Sequence, residues 1–128
     1  MALRVGIDLV QVDAIEASLR SHGEHYLRRV YTEREVEDCR GDSGLSAPSL
    51  AARFAAKEAA LKALQVPPDR AIPFRSIELV RDPAGWTTLE LSGPAAALAA
   101  ELGVTSLAVS ISHEDRAATA VVVAELPS

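Results

Sequence analysis

Cysteine is nearly absent from this sequence: Cys39 stands alone among 128 residues. No internal disulfide can form, and neither a cysteine-based metal finger nor a Cys/His nucleophile pair can be assembled. A lone thiol suits a reducing compartment, so a cytoplasmic location is expected. Aromatic residues make up 4% of the chain, which leaves the core to Leu, Val, Ile and Ala. No signal-peptide core and no membrane-spanning run is present, so no membrane partner is expected. Positive charge is in deficit, with 13 Lys and Arg against 18 Asp and Glu and a formal net charge of −5. That balance argues against a nucleic-acid partner held by broad charge neutralisation and leaves room only for a local basic patch.

What is present describes a globular protein. Apolar residues are 48% and charged residues 24% of the composition, an ordinary ratio for a packed core. The length fits one domain over residues 1–128, able to bury roughly two-thirds of its unfolded surface.

Residues 3–12 read as a strand, with Val5, Ile7 and Leu9 on one face, and Gly6 and Asp8 on the other. Residues 13–30 read as helix interrupted near Gly23. Thr32 with Glu35 forms a capping-box pattern that opens a short helix to about Cys39. Residues 40–49 have loop composition. Pro48 suits the first turn of a helix running to about Leu64, which the Val66-Pro67-Pro68-Asp69 segment ends. Residues 76–82 and 87–92 flank a turn at 82–85 and predict a hairpin. A helix over 93–103 closes at Gly103, and strands follow at 104–112 and 118–126. The sum is an α+β fold, an antiparallel sheet packed on a long central helix.

The central helix carries the chemistry. Its segment RFAAKEAALKAL, residues 53–64, is rich in alanine yet holds Lys57, Glu58 and Lys62. At 100° per residue, Leu50, Phe54, Leu61 and Leu64 share one arc, and Ala52, Ala55, Ala56, Ala59 and Ala63 another. Both arcs are expected to pack. Glu58 and Lys62 sit on a border between them at i, i+4 spacing, and Arg53 and Lys57 on the other side. In the plainest reading, Glu58–Lys62 is a surface pair and Lys57 snorkels past Phe54. Asp8 adds weight to another reading. A carboxylate inside a short apolar strand is costly without a partner. Two carboxylates brought together raise each other's pKa unless a cation joins them. Mg²⁺ takes one or two carboxylates and completes its shell with water and phosphate oxygens. Lys62, one turn on, would then neutralise a phosphate.

The segments GIDLV (6–10), RFAAKEAALKAL (53–64) and SLAVSISHE (106–114), in this order, resemble the signatures of phosphopantetheinyl transferases, in particular the branch acting on acyl carrier proteins. The resemblance covers almost the whole chain. It implies transfer of phosphopantetheine from coenzyme A to a serine of an apo acyl carrier protein, releasing adenosine 3′,5′-bisphosphate. It implies Asp8 and Glu58 as Mg²⁺ ligands, and Lys62 beside the phosphates and leaving group. Arg53 and His113 match positions that contact coenzyme A. Asp8, Glu58 and Lys62 are thus the expected catalytic set, with Glu58 the candidate base. A homotrimer with sites at subunit interfaces is also implied. Without the resemblance, His113 reads as an ordinary solvated histidine at a strand end.

Three positions depart from the family pattern. Ala14 stands where an arginine that grips the acidic carrier is common; Arg20, Arg28, Arg29 and Arg34 are the candidate replacements. Gln65-Val66-Pro67-Pro68 replaces a glycine-rich turn near the coenzyme's phosphates. Ala52 replaces a glycine. These departures keep a second expectation in view, a trimeric coenzyme A-binding relative that has lost transfer.

Overall fold

The computed structural model describes residues 1–128. Strand β1 (Ala2–Gln11) leads into helix α1 (Val12–His22) and, after the expected break at Gly23, into α2 (Glu24–Val30). The short α3 (Glu33–Asp38) follows, then β2 (Arg40–Gly41) and β3 (Gly44–Leu45), a small hairpin inside the expected loop. The long helix α4 spans Ala47–Ala63. A 3₁₀ turn (Phe74–Ser76) precedes the hairpin of β4 (Ile77–Arg81) and β5 (Thr87–Leu91), then α5 (Gly93–Leu102). Strands β6 (Ser106–His113) and β7 (Ala117–Leu126) close the chain. The fold is the expected α+β arrangement.

The main sheet is antiparallel in the order β1-β7-β6, so the two ends of the chain pair along their whole length. Helix α4 crosses all three strands. Its local signals agree with its position: Ser46 caps it by accepting the Ser49 N–H at 3.2 Å, and Pro48 sits in its first turn. The alanine stripe is fully buried against the sheet. Alanine lets two backbones approach closely, so many small dispersion contacts replace a few large side chains. Phe54 and Leu61, expected in the core, are only half-buried.

The face of β1 turned to α4 is the one carrying Gly6, Asp8 and Val10. Its aliphatic face points away from the chain's core, with Val5, Ile7 and Leu9 at 62, 59 and 66% exposure. Val121 and Val123 of β7 lie beside Ile7 and Val5 in register, which makes one contiguous apolar surface. No helix is long and apolar enough to cross a membrane.

Candidate functional site

Asp8 reaches α4 because of the residue two places before it. A Cβ at position 6 would lie 2.7 Å from the Ala63 nitrogen and nearer still to the Ala59 carbonyl oxygen. Only glycine lets β1 rest directly on the helix backbone here. Lys62 then donates to Asp8 Oδ1 at 3.2 Å and to the Ile7 carbonyl at 2.8 Å. The Asp8 carbonyl accepts from Thr119 Oγ1 at 2.9 Å, which ties this stretch to β7. Glu58 is half-buried one turn before Lys62. Desolvation pushes its carboxyl above the usual value, the charge of Asp8 adds to this, and Lys62 opposes it. Asp8, Glu58 and Lys62 therefore form one electrostatic cluster across two elements.

The Glu58–Lys62 helix pair expected from spacing is not among the ion pairs; Lys62 turns to β1 instead. No group of three or more His, Cys, Asp or Glu side chains gathers as a metal cage. Two neighbouring carboxylates at a partly open border are nonetheless the donor set that Mg²⁺ takes when phosphate and water complete its shell, so these residues fit that ion.

Lys57 does not snorkel. It is fully buried, and Nζ donates to Glu35 Oε1 at 2.7 Å, to the Phe74 carbonyl at 3.1 Å and to the Ile77 carbonyl. All three of its donors are satisfied. Glu35 is equally buried. It completes the expected capping box with Thr32 and also accepts the Leu79 N–H at 3.0 Å. Burial pulls the Lys57 pKa down and Glu35 works against that shift. This pair locks α3, α4 and β4 together one residue before Glu58.

Arg53 and His113 meet at a second place. They line a cavity of about 610 Å³ between the start of α4, the β4–β5 turn and the end of β6, together with Ser49, Ser112, Arg81 and Trp86. Arg53 is 3% exposed, and its Nη1 donates to the Ser49 carbonyl at 3.3 Å. Its Nε has no partner. Sequence reading did not single out Arg81 or Trp86. The available signal was a lone tryptophan directly after a turn glycine, in a chain poor in aromatics.

The arginines proposed to stand in for position 14 have separate fates. Arg34 faces Glu78 and Glu90, both at 3.7 Å. Arg28 lines a cleft that also holds Glu24, Glu33 and Glu37. Arg29 borders a groove of about 480 Å³ with His22, His25, Tyr26, Phe54 and Phe74. Arg20 lies exposed in the last turn of α1. At the altered turn, Gln65 adopts φ 51°, the left-handed region that favours glycine. Its N–H donates to the Lys62 carbonyl and that of Val66 to the Leu61 carbonyl, a Schellman ending that stops α4 before the prolines. Cys39 is buried, and its thiol is pushed up to about 11, chiefly by burial; it is no candidate nucleophile.

Residues 4–122 match the family model described as the 4′-phosphopantetheinyl transferase superfamily. The holo-[acyl-carrier-protein] synthase of Leptospira biflexa is 43% identical over 94% of each chain. That of Chloroflexus aurantiacus is 45% identical over 93% of this chain and 95% of its own. Among solved structures, the coenzyme A complex of the Chronobacterium ammoniagenes synthase superposes with a TM-score of 0.87, at 32% identity and full coverage of both chains. The Helicobacter pylori synthase in complex with coenzyme A gives 0.81 at 31% identity, covering 94% of this chain and 99% of its own.

Proposed function

The chain belongs to the 4′-phosphopantetheinyl transferase superfamily, as an enzyme of its holo-[acyl-carrier-protein] synthase branch, and from that premise we propose that it transfers phosphopantetheine from coenzyme A to a serine of an apo acyl carrier protein. The observation that carries the reading is the meeting of Asp8, Glu58 and Lys62 at the edge of α4.

In this reaction the serine oxygen attacks the phosphorus that bears the pantetheine arm. A new P–O bond forms, the pyrophosphate bond breaks, and adenosine 3′,5′-bisphosphate leaves. The protein's part in such transfer is mainly positioning and charge stabilisation. Asp8 and Glu58 would hold a Mg²⁺ ion, which supplies polarisation of the pyrophosphate when bound. Lys62, 55% exposed beside Asp8, offsets charge on the departing phosphate. Glu58 accepts the serine proton. Arg53 and His113 contact the coenzyme in the cavity they share.

Arg29, at the rim of the groove beside Phe54 and Phe74, offers the acidic carrier a positive charge in place of position 14; Arg34 is already engaged and drops out of that role. The aliphatic face of β1 supports a homo-oligomer, a trimer on the family resemblance, because an apolar surface of this kind is normally covered. Val5→Lys is expected to dissociate it, read by light scattering. The single buried thiol of Cys39 supports a cytoplasmic setting. A binding-only relative is disfavoured by the retained cluster of Asp8, Glu58 and Lys62.

The test is the mass of an apo carrier protein after incubation with the enzyme, coenzyme A and Mg²⁺. A gain of one phosphopantetheine, abolished by EDTA, is expected. Mg²⁺-dependent coenzyme A binding without any gain on fatty-acid, polyketide or peptide-synthase carriers would refute transfer.

A further inference from the structure

The outer face of the main sheet carries one residue out of keeping with its neighbours. Along β7 the side chains turned away from α4 include Thr119, Val121 and Val123, and Leu9, Ile7 and Val5 of β1 lie beside them in register. A valine at position 119 would extend that aliphatic run, with the same branching at Cβ and a comparable preference for strand. Threonine adds a hydroxyl there, and a hydroxyl on such a face needs a partner.

The partner is the main chain of Asp8. Thr119 Oγ1 donates to the Asp8 carbonyl at 2.9 Å. The bond runs diagonally, because Thr119 is paired with Leu9, and Asp8 with Ala120. Asp8 is thereby held from both faces of the sheet. On the α4 side, Lys62 donates to Oδ1 at 3.2 Å and to the Ile7 carbonyl at 2.8 Å. On the opposite side, Thr119 fastens the backbone that carries the carboxylate. The two strands differ in how firmly they are themselves held. β1 is an edge strand with one neighbour, whereas β7 is paired along both edges. Gly6, two residues before Asp8, brings no side chain to pack. A hydroxyl on the central strand therefore steadies the edge strand at the residue whose placement matters most.

We propose that Thr119 is a positioning residue for the metal ligand Asp8: its hydroxyl fixes the main chain of β1 so that the Asp8 carboxylate is presented towards Glu58 and Lys62. The inference rests on the reading of Asp8 and Glu58 as Mg²⁺ ligands and adds a residue outside that set. Removing a group that orients a metal ligand weakens metal binding by about 10-fold or more, and action through the main chain places Thr119 at the lower end.

The test reads metal binding directly. Mn²⁺, which takes the same oxygen donors as Mg²⁺, is titrated into the intact protein with coenzyme A present, and free Mn²⁺ is followed by electron paramagnetic resonance. Thr119→Val should weaken Mn²⁺ binding about 10-fold. Thr119→Ala removes the same hydroxyl and should do likewise. Thr119→Ser keeps the hydroxyl and should bind as wild type does. Thr105→Val is the control: Thr105 Oγ1 donates to the Glu125 carbonyl at 3.1 Å, the same kind of bond at the other end of the sheet, and its loss should leave Mn²⁺ affinity unchanged. In turnover, Thr119→Val should need about 10-fold more Mg²⁺ to reach half its maximal rate, with kcat at saturating Mg²⁺ and KM for the carrier unchanged. A hydroxyl that serves the fold alone would lower the melting temperature and leave metal affinity where it is. Wild-type Mn²⁺ affinity in Thr119→Val, no recovery in Thr119→Ser, or an equal loss in Thr105→Val overturns the inference while the metal reading stands. If the wild-type protein binds no Mn²⁺, with or without coenzyme A, the metal reading fails and takes the inference with it.

Discussion

Gly6→Ala should damage both stability and turnover through a single methyl group. The added Cβ would stand 2.7 Å from the Ala63 nitrogen and 2.9 Å from the Ala59 carbonyl carbon, with the Ala59 oxygen closer still. These are helix backbone atoms, so no side chain can swing aside. With the Ala59 oxygen the nearest atom, restoring ordinary contact near 3.5 Å requires β1 to back away from α4 by about 1.5 Å. Overpacking of this kind costs about 1–3 kcal/mol, and the rigid backbone on both sides places it at the upper end. For a chain of this size that lowers the melting midpoint by about 10 °C. Asp8 moves with the strand, away from Lys62 and Glu58, and a misplacement near 1 Å can reduce turnover about 100-fold. Denaturation followed by circular dichroism gives the first quantity, and steady-state carrier modification well below both midpoints gives the second. Gly41→Ala is the control, since a Cβ there would meet nothing nearer than the Gly44 carbonyl oxygen at 3.8 Å. A Gly6→Ala enzyme with wild-type midpoint and turnover would refute the reasoning.

Lys57→Met strands the Glu35 carboxylate in the core and should cost about 3–5 kcal/mol in urea denaturation. Adding Glu35→Gln should recover a substantial part; strictly additive losses would contradict a paired role. Gln65→Gly should raise stability by about 0.5–1 kcal/mol by relieving its left-handed backbone, and a lower midpoint would count against that. In the metal-free protein desolvation and the charge of Asp8 hold the Glu58 carboxyl above the ordinary glutamate value. Lys62→Met removes the opposing charge and should raise the Glu58 pKa of the metal-free protein further, read by NMR titration; an unmoved pKa would separate the two residues. In metal-free protein the folded state holds the Glu58 proton more tightly than the unfolded state. Stability therefore falls as pH rises from 4.5 through the raised pKa, and Glu58→Gln should flatten that slope.

Much of this architecture is readable along the chain because its local signals agree with one another. The capping box at Thr32 and Glu35, the alanine stripe of α4 and the turn at 82–85 all appear where periodicity and composition place them. What escaped was long-range. Glu35 satisfies a local motif so well that its second partner, Lys57, 22 residues away, leaves no mark in the sequence. Helix spacing offers Lys62 a partner in Glu58, but β1 brings a carboxylate and a carbonyl that spacing rules cannot weigh. The alternation of β1 defines two faces without saying which is inner; Gly6 decides it by admitting the helix backbone, and the aliphatic face is left outside. Arg81 and Trp86 join Arg53 only through the meeting of a hairpin turn with α4 and β6.

The account turns on Asp8 and Glu58 working as one unit across β1 and α4. The measurement that tests it most directly is a double-mutant cycle in kcat/KM with Asp8→Asn and Glu58→Gln, at saturating Mg²⁺ and with stability checked in parallel. Groups that act together lose their function together. The double variant should therefore be little worse than either single one, each of them strongly impaired. Losses that multiply independently, or a Glu58→Gln enzyme with unchanged turnover, would contradict the account.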